Sequence, residues 1–159
     1  MKVYLASDHA GFELKEKVKT YLKEKGSEFE DLGAFNLDKA DDYPDYAYKA
    51  AKKVADSSSG AKAILFCGSA EGMCIVANKV KGIRAVSVST LVNARVSREH
   101  NDANVLCLSG GGTLSPIPGL SLEDAKNIIE TWLSTPVSGA GRHARRLKKI
   151  SGIENLWQK

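Results

Sequence analysis

Short apolar runs alternate with amphipathic stretches along almost the whole chain. Residues 2–7 read as a first strand, apolar and ending at a polar corner. Over 11–25, Leu14, Val18, Tyr21 and Leu22 recur at spacings that place them on one face of a helix. Glu13 and Lys17 pair on its outer side and Gly26 ends it. A second strand is expected over 28–32, followed by a polar loop over 33–42. Pro44 suits the first turn of a helix running to about residue 57, with Asp42 or Tyr43 just outside it. The run 63–67 is a compact strand, followed by a small-residue loop over 68–72 and a helix to 79. A fourth strand is expected over 83–88, a helix over 91–98 and a fifth strand over 105–108. The Gly/Ser/Pro-rich stretch 109–119 delays the next helix, over 122–133, and a last helix runs from about 141 to 150.

This alternation predicts an α/β fold, a five-stranded parallel sheet covered by helices on both faces. In such sheets ligands sit at the carboxyl ends of the strands, so the corners after strands one, three and five are where chemistry is sought. At 159 residues the chain is expected to form one domain, 1–159. That size needs no disulfide or metal staple. Apolar residues at 43% and charged residues at 26% exclude a disordered or fibrous chain.

Charge changes the picture only at one end. Residues 131–159 hold six Lys/Arg against one acid, leaving 17 basic and 18 acidic groups in residues 1–130. Without interleaved aromatics or a basic remainder, this local excess is weak ground for nucleic-acid binding, which is not expected. No apolar run reaches the 18–20 or so residues that span a bilayer, so no membrane partner is expected. The apolar stretch Val3-Tyr4-Leu5-Ala6 is too short for the core of a signal peptide, which makes the cytoplasm the expected compartment. Cys67, Cys74 and Cys107 lack zinc-type spacing and read as free thiols, the last two as core residues.

Cys67 ends a strand ahead of Gly68-Ser69-Ala70-Glu71-Gly72 and a helix N-terminus, an arrangement whose free N–H groups cradle an anion. A dinucleotide fingerprint needs a third glycine, a Walker A loop needs Lys after Gly72, and a phosphatase loop needs Arg at 73; all three are missing. What is left is a thiol beside an anion-stabilising loop. A helix N-terminus is expected to lower its pKa and make Cys67 a base or nucleophile. The plainer reading is a small buried residue closing a central strand.

Several further segments occur in one order: Ser7-Asp8-His9-Ala10-Gly11, Asp42-Tyr43-Pro44, Cys67-Gly68-Ser69, and Ala77-Asn78-Lys79-Val80 with Gly82-Ile83-Arg84-Ala85. Arg98-Glu99-His100-Asn101-Asp102-Ala103-Asn104-Val105 and Gly141-Arg142-His143 follow. Together they resemble the B-type ribose-5-phosphate isomerases of the ribose/galactose isomerase family, over residues 2 to about 150. The resemblance implies a Rossmann-like α/β/α fold and an aldose–ketose isomerase needing no metal or other cofactor. It also implies a homodimer, or dimer of dimers, whose active sites are shared between subunits and take a small sugar phosphate.

Carried over residue by residue, the resemblance makes Cys67 the general base that creates an enediolate. The N–H groups from Gly68 to Gly72 would stabilise that charge. Ser69 stands where a hydroxyl relays protons between substrate oxygens. His100 matches the ring-opening histidine, a task suited to a group titrating near neutrality. Asp8 would bond the ring oxygens or that histidine, Asn101 a sugar hydroxyl, and Tyr43 would line the pocket. His9, Arg142 and Arg146 match the phosphate end, where guanidinium forks suit phosphate oxygens. Each has a plainer alternative: Asp8 a helix cap, His100 a surface histidine, Tyr43 a packing residue, the arginines one solvated helical face.

Two departures from the family pattern stand out. Ala70 and Glu71 occupy a loop that is usually Gly-Thr-Gly-x-Gly. Glu71 is expected to face away from the cradle, although branches lacking the cysteine use a loop glutamate as base. After strand five the family's phosphate-contacting Arg is missing near Gly111, with Arg145 the spare candidate. A hexose 6-phosphate substrate of the allose or galactose type, or a non-catalytic binding protein, are the alternatives this leaves.

Overall fold

A computed structural model describes residues 1–112 and 116–158; the expectations for residues 113–115 lie outside the described residues. Five strands, β1 (Val3–Ser7), β2 (Phe29–Asp31), β3 (Lys62–Cys67), β4 (Ala85–Ser87) and β5 (Val105–Ser109), form one sheet in the order β2-β1-β3-β5-β4. Every pairing is parallel. β1, β3 and β5 are apolar on both faces, as strands enclosed between helix layers must be.

The helices are α1 (Phe12–Glu24), α2 (Tyr43–Ala55), α3 (Glu71–Ala77), α4 (Leu91–Asn101), α5 (Leu122–Ser134) and α6 (Gly141–Glu154), with a 3-10 turn at Asn155–Gln158. On one face of the sheet, Ala47, Ala50, Ala51 and Val54 of α2 and Met73 and Ala77 of α3 pack over Ala63, Leu65 and Cys107. On the other, Leu14, Val18 and Leu22 of α1, Ala94 of α4, and Ile128, Ile129 and Trp132 of α5 pack over Leu5, Ile64 and Leu106. The alternation of Ile64 and Leu65, or Leu106 and Cys107, between the two cores is the two-residue period of a strand. The expected three-layer α/β/α architecture is what forms.

Several boundaries differ from the hydrophobic pattern. β4 is three residues, not six, because it is an edge strand: the Arg84 carbonyl already takes the Asn104 N–H at the corner where β5 begins. α3 stops at Ala77, where Lys79 and Val80 close a tight turn. α4 runs three residues past Arg98, because Asp102 adopts the left-handed conformation (φ 45°) that ends helices. Arg84 and Arg98 both hold the Asp102 side chain, at 2.8 and 2.7 Å, which fixes this last turn. α6 continues to Glu154 and buries only His143.

Candidate active site

The switch point of the sheet lies between β1 and β3, and the chain reaches it at Asp8 and at Cys67. Gly11 brings the two corners together. A Cβ there would lie 2.1 Å from the Phe66 carbonyl carbon, so only glycine lets the β1 corner touch the end of β3. Asp8 is buried, and its Oδ1 accepts the Gly11 N–H at 2.9 Å, closing the turn before α1; the N-cap of that helix is Gly11, without a side-chain cap, so the helix-cap alternative for Asp8 does not form. Burial raises the Asp8 pKa against the opposing pull of the Gly11 N–H and of His9.

Cys67 is 4% exposed at the last position of β3. The backbone N–H groups of Met73, Ala70 and Ser69 face its thiol and favour the thiolate, but burial, reinforced by the Asp8 charge, outweighs them. The net shift is upward, which corrects the expectation of a lowered pKa. A seven-residue helix and three N–H groups do not offset desolvation of the strand end. The cradle exists nonetheless, and Ala70 builds it in the left-handed region (φ 69°), where glycine is normally found. Ser69 Oγ accepts the Glu71 N–H at 3.4 Å. Glu71 is solvent-exposed. Gly72 is kept bare by Tyr43, whose ring carbons would lie 2.9 and 3.0 Å from a Cβ. Tyr43 therefore lines the cradle from the first turn of α2. Gly110 and Gly111 tie the β5 corner to the same place, donating to the carbonyls of Cys67 and Gly68 at 2.8 and 3.1 Å. Gly111 is left-handed (φ 72°), and a Cβ there would sit 2.5 Å from the Gly119 nitrogen, so no side chain replaces the absent arginine at that point.

His9 lies beside this cradle. Its Nδ1 is 2.6 Å from Asp41 Oδ1, which also accepts the His9 backbone N–H at 3.1 Å.

The other predicted residues lie at the opposite edge. His100 and Asn101 occupy the last turn of α4, where the Asn101 carbonyl accepts from Arg84, next to the residues that begin β4 and β5. His143 stacks on His100, ring centroids 4.3 Å apart and planes at 7°, and its Nε2 accepts from Arg142 Nε at 3.1 Å. Burial lowers the His143 pKa, with the charges of His100, Arg142 and Arg146 acting the same way. Arg142, Arg145 and Arg146 are exposed. Cys67 pairs with Ser109 at the end of β5, whereas His100 lies beyond its start. A five-residue strand at about 3.3 Å per residue separates the two groups by on the order of 13 Å. Within one chain, then, Asp8 does not reach His100, and His9 does not meet Arg142 or Arg146.

The ribose/galactose isomerase family model matches residues 3–150. The chain belongs to that family. Ribose-5-phosphate isomerase B of Escherichia coli K12 is 40% identical over 153 residues, 96% of each chain. A crystal structure of ribose-5-phosphate isomerase B from Mycoplasma genitalium with bound ribulose-5-phosphate superposes with a TM-score of 0.88 at 38% identity, covering 97% of this chain and 96% of that one. The Clostridium thermocellum ribose-5-phosphate isomerase B matches with a TM-score of 0.87 at 40% identity over 99% and 100%.

Two residues of this family member escape sequence reasoning. Asp41 lies in a loop without periodicity, 32 positions from the histidine it holds. His143 stands inside a quoted motif, but its stacking on His100 is a tertiary contact. Among the cysteines, Cys107 is core as expected, whereas Cys74 is only half-buried, its thiol against Cys107.

Proposed function

We propose that the chain is an aldose–ketose isomerase that interconverts ribose 5-phosphate and ribulose 5-phosphate through an enediolate. The observation that carries this reading is the Cys67 thiol under the Ser69, Ala70 and Met73 N–H groups, with Asp8 beside it. A base at that point takes the C2 proton of the open-chain aldose and returns it to C1. The electron pair left at C2 delocalises onto the C1 oxygen, where N–H donors and the Ser69 hydroxyl stabilise it and exchange the hydroxyl proton. Burial that raises the thiol pKa also makes the thiolate a stronger base once formed. His100 moves the anomeric hydroxyl proton to the ring oxygen and opens the sugar, oriented by the His143 ring stacked on it.

The working site is formed between two copies of the chain. Cys67, Asp8, Tyr43 and His9 come from one subunit, and His100, Asn101, Arg142 and Arg146 from the other. The separation of the two groups supports this, because proton transfer to one substrate needs all of them within a few ångströms. So does α6, whose Ile150 and Ile153 stay 38% and 53% exposed beside a groove lined by Ile83, Ala85 and Val86. Residues 1–159 act as one sugar-phosphate isomerase domain, in the cytoplasm, with no cofactor. Among the described residues, no helix is long and apolar enough to cross a membrane.

Gly111 favours a second substrate reading. With no guanidinium there, the phosphate rests on His9, Arg142 and Arg146, and a hexose 6-phosphate becomes a rival substrate. The test is isomerase activity on ribose 5-phosphate and on allose and galactose 6-phosphates, for wild type and Cys67→Ala. The wild type is expected to turn over the pentose, unaffected by chelator, and Cys67→Ala to keep binding ribulose 5-phosphate while losing turnover. Activity on hexose phosphates alone, or binding without any turnover, would overturn the pentose isomerase reading.

A further inference from the structure

His9 and Asp41 join the corner after β1 to the segment between β2 and α2. Asp41 comes from the irregular segment between β2 and α2, and its side chain is 6% exposed against 30% for His9. Its Oδ1 contacts both the ring Nδ1 and the backbone N–H of His9, at 2.6 and 3.1 Å. The Tyr46 phenol faces the same carboxylate, its pKa raised by burial and then by the charge of Asp41 and a hydrogen bond to its side chain. Taking a carboxylate out of water costs stability, and an apolar residue would serve packing better.

We infer that Asp41 is a positioning residue that orients His9, holding its Nδ1 so that Nε2 faces the anionic end of the substrate. The inference rests on the reading of His9 as a phosphate ligand. A carboxylate 2.6 Å from Nδ1 requires a proton on that nitrogen, which leaves Nε2 as the atom turned to the partly open side. The hydrogen bond at one ring nitrogen fixes how the other meets a ligand. Asp8 also faces the pair, and its burial and Gly11 bond leave Asp41 as the carboxylate in contact with the ring.

The test compares Asp41→Asn, His9→Ala and the double variant, reading kcat and KM on ribose 5-phosphate and inhibition by inorganic phosphate. Asp41→Asn is isosteric and is expected to raise KM and the phosphate inhibition constant about tenfold, with kcat within about twofold. His9→Ala is expected to do at least as much, and the double variant no more than His9→Ala alone. A loss confined to kcat, multiplying effects of the two substitutions, or an unaffected KM in Asp41→Asn would each overturn the inference. If His9→Ala itself leaves KM and phosphate inhibition unchanged, the phosphate assignment of His9 fails, and the inference with it. If only Asp41→Asn is silent, the inference alone fails. Independently of any variant, nitrogen-15 spectra of the wild-type ring are expected to show a protonated Nδ1, and a bare Nδ1 would overturn the proposal.

Discussion

A mixture of two dead variants tests the shared site most directly. Cys67→Ala removes the base from one edge of the sheet and His100→Ala the ring-opening group from the other. β5 separates these edges by on the order of 13 Å, so neither variant can repair itself. In a heterodimer of the two, one site joins both damaged edges and is dead, while the other joins the intact His100 of one chain to the intact Cys67 of its partner. Random pairing makes about half of all dimers mixed, and half of the sites in those intact, so about a quarter of wild-type activity is expected. Co-expression with two different affinity tags and purification through both leaves only mixed dimers, raising the expectation to about a half.

The assay is ribulose 5-phosphate formation from ribose 5-phosphate, with each parent homodimer as background. Activity in the mixture no higher than in the parents would refute the shared site. The His100 edge of one chain would then have no part in the chemistry at another chain's Cys67. Activity in the His100→Ala homodimer on the acyclic sugar phosphate alone would agree with ring opening as its task.

Gly72→Ala separates stability from function. The new methyl gains up to about 1 kcal/mol of helix propensity in α3, and the Tyr43 ring, 41% exposed, can swing away to admit it. Melting temperature is expected to hold or rise while kcat/KM falls at least about tenfold; retained activity would show that Tyr43 does not shape the pocket. Asp8→Asn keeps the bond to Gly11 but removes a buried charge, so it is expected to stabilise the fold by up to about 1 kcal/mol near neutral pH while lowering kcat/KM. The sign follows from the raised pKa: the wild-type carboxyl favours the fold below its unfolded pKa of about 3.9 and loses that contribution as pH rises through the folded value. Denaturant unfolding should therefore show the gap opening from acid toward neutrality, and a gap widest in acid would contradict the burial argument.

Period and punctuation made the layers legible: Leu14, Val18 and Leu22 mark α1, and the apolar runs of β3 and β5 mark the centre of the sheet. The motifs around Asp8, Cys67 and His100 pointed to the family to which the chain belongs. Their division between two edges followed only once the strands were ordered, because local pattern carries no information about which end of a sheet a helix returns to. Apolarity extends the β4 pattern beyond the strand because Ile83 and Val88 are buried outside it, Val88 still donating to the Cys107 carbonyl. Asp41 and His143 act through contacts 32 and 43 positions away, beyond any spacing rule. A motif shows the N–H groups that lower the Cys67 pKa but not the burial that raises it.

Charge supports the proposal that the site is divided between two copies. The Cys67 edge carries Asp8 and Asp41, with the exposed carboxylate of Glu71 at the rim, and holds His9 against Asp41. Those acids suit proton transfer but repel a dianionic phosphate. The α6 edge carries the exposed guanidinium groups of Arg142, Arg145 and Arg146, which attract phosphate but would hold a carboxylate-rich base site in ion pairs if the two shared one chain's surface. Within one chain the two ends of the sheet hold these groups apart. On the proposed shared site, the local basic excess of residues 131–159 would complement the acidic edge of a second copy, with the substrate's phosphate between them.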